Sequence, residues 1–112
     1  MAKRKSNVVT ASSGNVFADL GLVDAEELGT KVRLAASLNA ILERRKLTQA
    51  EAARVLGVNQ PKVSALKGYK LEGFSVERLM RFATALGQDV VIQIRPHSVG
   101  EGVGRVMVVG AV

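Results

Sequence analysis

The segment from Leu47 to Lys67, LTQAEAARVLGVNQPKVSALK, constrains the fold of this chain more than any other. Thr48 and Glu51 are spaced as a capping box, in which hydroxyl and carboxylate each take a free backbone N–H at a helix start. Gly57 stands where that helix must stop, and only glycine enters the left-handed region without steric cost. Ala53, four residues earlier, is small enough for a second helix to cross closely. Asn59 can cap that second helix, and Pro61 falls in its first turn, where a missing N–H costs little. Val58, Val63 and Leu66 return to a core, the last two on one face.

Two short helices joined by a tight turn with these signals form the pattern of a DNA-binding helix-turn-helix. A hairpin of helices that only packs would account for the apolar positions. It would leave unexplained the polar and basic set Asn59, Gln60, Lys62, Ser64 and Lys67 on the outer face. Charge distribution favours the same reading. Between Lys31 and Lys70 nine basic residues stand against Glu43 and Glu51, whereas residues 7 to 30 hold four acids and no base. The net charge of +6 is therefore concentrated on the motif and the helix before it, as contact with phosphate requires.

With 112 residues and 47% hydrophobic content, the chain is expected to form one small folded domain with tails. The N-terminal MAKRKSNVV carries charge but no apolar core of a signal peptide. Residues 1–23 read as a tail and a docking segment, in which Val16, Phe17, Leu20, Leu22 and Val23 are too apolar to stay free. Asp24 is placed to cap a first helix from about Ala25 to Arg45, with Leu28, Ala35, Leu38, Ile41 and Leu42 facing the core. Arg44, Arg45 and Lys46 close that helix, where cations oppose the dipole or contact phosphate. After a loop from Gly68 to Gly73, Ser75 caps a last helix to about Leu86, with Val76, Leu79, Met80, Ala83 and Leu86 inward and Gly87 as stop signal. Val90, Ile92 and Ile94 then alternate with Val91, Gln93 and Arg95 in a strand ended by Pro96. That strand needs a partner: the tail at Arg105 to Val109, the N-terminal segment, or the same strand of a second subunit. The expected domain spans residues 24–96, followed by a Gly- and Val-rich tail, 97–112.

Several chemistries are excluded or unsupported. The chain has no cysteine, which removes disulfides, thiolate metal sites and cysteine catalysis. His97, the single histidine, has no second histidine or cysteine to join at a metal site. The glycines from 100 to 104 lack the strand and helix context of a phosphate cradle. An enzyme is not expected, nor is a cofactor or a metal. Four aromatic residues offer no clustered platform for stacking RNA bases. No apolar run approaches a membrane span of roughly 18 residues, and a cytoplasmic protein is expected.

From about Leu38 to Ile94 the chain resembles the Xre-type helix-turn-helix family, the fold of phage lambda-type repressors. The order NVFADLGL, LTQAEAARVLGVNQPKVSALKGYKLEGFS, VERLMRFATALGQDVVIQI is similar to the HigA-like antitoxin branch of that family. The resemblance implies an all-α, lambda-repressor-like bundle of about four to five helices with a C-terminal β-strand. It also implies a homodimer that binds an inverted-repeat operator, represses its own operon and binds a RelE-like ribonuclease toxin. Carried onto this sequence, Gln49 would bind phosphate, and Asn59, Gln60, Lys62 and Ser64 would face the groove. Pro61 departs from the polar residue often found there and offers only apolar surface to a thymine methyl. Lys67, Tyr69 and Lys70 are better placed for phosphate, and Val90, Ile92 and Ile94 for the dimer. Stand-alone regulators share this domain, so a regulator without a toxin stays open. So does a toxin-neutralising interaction protein whose DNA binding is secondary.

Overall fold

The computed structural model describes residues 16–97 and 102–110, with side chains from residue 25 onward. Four helices form among the described residues: α1 (Val16–Arg44), α2 (Gln49–Leu56), α3 (Gln60–Lys67) and α4 (Val76–Ala85). The caps expected for the last three are all in place. The hydroxyl of Thr48 and the side chains of Asn59 and Ser75 each accept a backbone N–H from the third residue of the helix they open.

The first helix departs from its expected start. It begins at Val16, so Asp24 lies within the helix and not at its start. Capping residues start a helix only where nothing helical precedes them. A carboxylate in a helix interior costs only a few tenths of a kcal/mol, about 0.5, and the upstream VFADLGLV contains no proline to stop propagation. The apolar side chains from Val16 to Val23 lie outside the described ones.

The core is built where the downstream half of α1 meets the other helices. Ala35, Leu38, Ile41 and Leu42 of α1 are buried with Ala52, Ala53 and Leu56 of α2, Val63 and Leu66 of α3, and Leu79 and Phe82 of α4. Leu28 is not part of it: the side chain is 55% exposed, because no other described helix covers that turn of α1. Loops contribute more than their sequence suggests. Leu71 and Phe74, between α3 and α4, are both buried, and the Phe74 ring meets Phe82 edge-on at 5.8 Å. Phe82 is not among the inward residues expected for α4, whose buried side chains are Leu79 and Phe82; Val76, Met80 and Ala83 are half-buried.

Helix ends are tied across the bundle. The guanidinium of Arg45 donates to the carbonyl of Leu86 at 2.7 Å, which satisfies a free carbonyl at the end of α4. Asn39 of α1 donates to the Leu66 carbonyl at 3.1 Å and so holds the end of α3.

No strand forms among the described residues. Residues 88–97 carry no ladder, and Val91, Ile92 and Ile94 are exposed: alternation alone does not make a strand unless a neighbouring backbone takes up its N–H and C=O groups. An internal hairpin with Arg105 to Val109 is likewise absent. That tail instead lies along α1: the Val106 N–H donates to a Glu26 carboxylate oxygen at 3.1 Å. A Cβ at Gly110 would approach the Ser37 hydroxyl to 2.9 Å, so the tail backbone sits close on the helix.

Replacing Arg45 with Met keeps the stem but removes the bond to Leu86. Denaturant unfolding followed by circular dichroism should show a loss of about 1 kcal/mol. An unchanged midpoint would mean that this contact does not hold α4.

Candidate nucleic-acid interface

The capping box sets the start of α2. The Thr48 N–H donates to a Glu51 carboxylate oxygen at 2.8 Å, and the Glu51 N–H donates to the Thr48 hydroxyl at 3.1 Å. The bond from the Thr48 backbone, then that of its hydroxyl, holds the Glu51 carboxyl below the ordinary glutamate range, and Arg54 adds to this. The first helical residue beyond the box is Gln49, whose side chain is exposed at the positive end of the α2 dipole.

The turn follows from Gly57, at φ 72°, and from the Val58 N–H, which reaches back to the Ala53 carbonyl at 3.0 Å. With Val63 and Leu66 wholly buried, α3 can present only its opposite side to solvent. That side carries Gln60, Ser64 and Lys67 at i, i+4 and i+7, all exposed, with Pro61 beside them.

Two of the expected groove residues have partners inside the chain. Asn59 accepts the Lys62 N–H at 2.9 Å, so its oxygen is committed to the cap. The Lys62 ammonium lies 3.4 Å from the Gly73 carbonyl and 4.9 Å from the centre of the Phe74 ring. Lys62 thus ties α3 to the following loop rather than standing free beside Gln60. Arg78 covers the same aromatic pair, 5.8 Å from Phe74 and 5.7 Å from Phe82. These cation–ring contacts are illegible in the sequence because they join α3, a loop and α4.

Tyr69 and Lys70 follow α3 directly. Both are exposed, and Tyr69 turns through the left-handed region at φ 59°. Several bases are committed elsewhere: Arg45 to Leu86, Lys31 to Glu27 at 3.6 Å, and Arg81 to Glu77 at 3.3 Å. What remains around the turn is a polar and basic surface made by the start of α2, one side of α3 and the residues just beyond it. Such a surface suits phosphate oxygens and base edges. Among the described residues no group of three or more histidine and acidic side chains could hold a metal, and no helix is long and apolar enough to cross a membrane.

Comparison with known proteins agrees with this geometry. Residues 16–95 match the family described as "Helix-turn-helix domain". A solved structure described as "Putative XRE Family Transcriptional Regulator" is 59% identical, with a TM-score of 0.74 over 79% of this chain and 99% of its own. The chain belongs to the Xre-type helix-turn-helix family. No curated protein matches it.

Acid should act on this interface through Glu51. A carboxyl held below its ordinary range stabilises the fold above that range, and the contribution is lost as pH falls through the lowered value. Glu51→Gln keeps the capping geometry without the titrating group. Its unfolding midpoint should therefore vary less than wild type as pH is taken below the ordinary glutamate value. Identical acid profiles would mean that the box adds no pH dependence.

Proposed function

We propose that the chain is a sequence-specific DNA-binding transcriptional regulator, without enzymatic activity, that represses its own operon from an inverted-repeat operator. The observation that carries this reading is the exposed stripe Gln60, Ser64 and Lys67 on a helix whose other side is wholly buried. In this reading α3 enters the major groove, where the Gln60 amide bonds adenine bidentately and Ser64 reaches a neighbouring base. Pro61 offers its ring to a thymine methyl. Gln49, Lys67, Tyr69 and Lys70 contact phosphate on either side. Asn59 and Lys62 serve the groove through what they hold in place.

The regulator acts as a cytoplasmic homodimer. Support comes from the alternation of Val90, Ile92 and Ile94, which are exposed in a stretch that forms no ladder among the described residues. The same segment of a second copy would complete a two-stranded ladder across a two-fold axis and restore the expected strand. Two recognition helices about 34 Å apart would then read the two halves of the operator.

The finer assignment is an autorepressing antitoxin of a type II pair, partnered by a RelE-like ribonuclease toxin. It rests on the resemblance of the motif and of the flanking segments to the HigA-like branch. A stand-alone regulator is the second reading, favoured by the solved relative, which is described as a transcriptional regulator. A toxin-like reading frame beside the gene distinguishes the two.

Binding titrations with DNA from upstream of the gene test the groove assignment. Gln60→Ala should cost roughly 1–3 kcal/mol there and relax one base position, while Lys67→Ala should weaken operator and scrambled duplexes alike. An unchanged operator affinity for Gln60→Ala would show that α3 is wrongly placed. The dimer has its own test in sedimentation. Ile92→Pro removes a ladder N–H and should yield a monomer of unchanged helicity; a dimer unaltered by that change would sink the strand-mediated assembly.

A further inference from the structure

The four helices among the described residues close alike. Within two residues of each helix end the chain turns through the left-handed region, and backbone N–H groups reach back to the last carbonyls. After α1 the Leu47 N–H donates to Leu42 at 3.2 Å and that of Lys46 to Glu43 at 3.0 Å. After α3 the Lys70 N–H donates to Ala65 at 2.9 Å and that of Tyr69 to Leu66 at 3.2 Å. The residues at the four turning points are Lys46 at φ 57°, Gly57 at 72°, Tyr69 at 59° and Gly87 at 81°.

Glycine takes this conformation freely, and a residue with a Cβ does not. Two ends therefore have the favourable residue and two do not. The two exceptions bracket the helix-turn-helix, one just before α2 and the other just after α3. Lys46 is exposed, and the two ion pairs among the described residues do not include it. Its fold would gain from glycine, so what keeps a lysine there is its side chain. That side chain stands two residues before Thr48 and three before Gln49, at the positive end of α2. Its neighbour Arg45 is turned away to Leu86 and cannot serve this position.

We propose that Lys46 is a contact to DNA phosphate beside Gln49, held at a cost to stability because of that contact. The inference rests on the DNA-binding reading above and adds to it a residue at the α1–α2 junction. Its signature is an opposition between two measurements. Lys46→Gly should raise the melting temperature by about 4 °C. The same variant should weaken a mixed-sequence duplex of about 30 base pairs roughly threefold to tenfold at low salt, and shallow the salt dependence by about 0.9. Lys46→Gln, which keeps the Cβ and loses the charge, should lose the same affinity without the gain in melting temperature. Lys46→Arg should retain the affinity.

Wild type that binds the duplex, with Lys46→Gly and Lys46→Gln binding equally well, overturns the contact and leaves the DNA-binding reading standing. Wild type that binds no duplex overturns both. Lys46→Gly that melts lower than wild type overturns the claim that the lysine is held at a cost.

Discussion

Rotation of α3 about its own axis decides which of its side chains reach solvent, and the burial of Val63 and Leu66 fixes that rotation. Both are wholly inaccessible, in a core completed by α1, α2 and α4. Each such side chain contributes about 1.5–3 kcal/mol when taken from water, so turning α3 by half a revolution would forfeit several kcal/mol. The Asn39 bond to the Leu66 carbonyl and the Lys62 contacts with Gly73 and Phe74 hold the two ends of the same helix. Everything on the exposed stripe follows from this constraint. Gln60, Ser64 and Lys67 point outward because their neighbours cannot.

The bundle divides its basic residues between structure and surface. Arg45 closes α4 and Lys62 anchors the loop, so neither is free for an anionic partner in this arrangement. Lys67, Lys70 and Lys46 have the opposite character, exposed at helix ends where they can reach phosphate. Net charge alone would count all of them equally. The geometry separates charges that stabilise the fold from charges available to a nucleic acid.

What could be read from sequence was what is encoded locally. The caps Thr48, Asn59 and Ser75 and the stops Gly57 and Gly87 each act within four residues, and every one of them lies where the pattern put it. Arg45 and Lys62 find partners 41 and 11 residues away, which no local signal encodes. Leu71 and Phe74 fall in a stretch that reads as a loop, yet the closeness of α3 and α4 folds it over the core. The start of α1 is not legible locally, because Asp24 has the form of a cap while nothing upstream forbids more helix. Alternation at Val90 to Ile94 reads as a strand, but a ladder also needs a neighbour, and none forms there among the described residues.

Amide chemical shifts, followed as a duplex from upstream of the gene is titrated into the protein, test the central claim most directly. The account predicts that the largest changes fall on Gln49 at the start of α2, on the Gln60 to Lys67 stripe of α3, and on Tyr69 and Lys70. Amides of the α4 interior and the buried half of α1 should move little. Changes concentrated on α4 or on residues 88–97, with α3 unaffected, would contradict it.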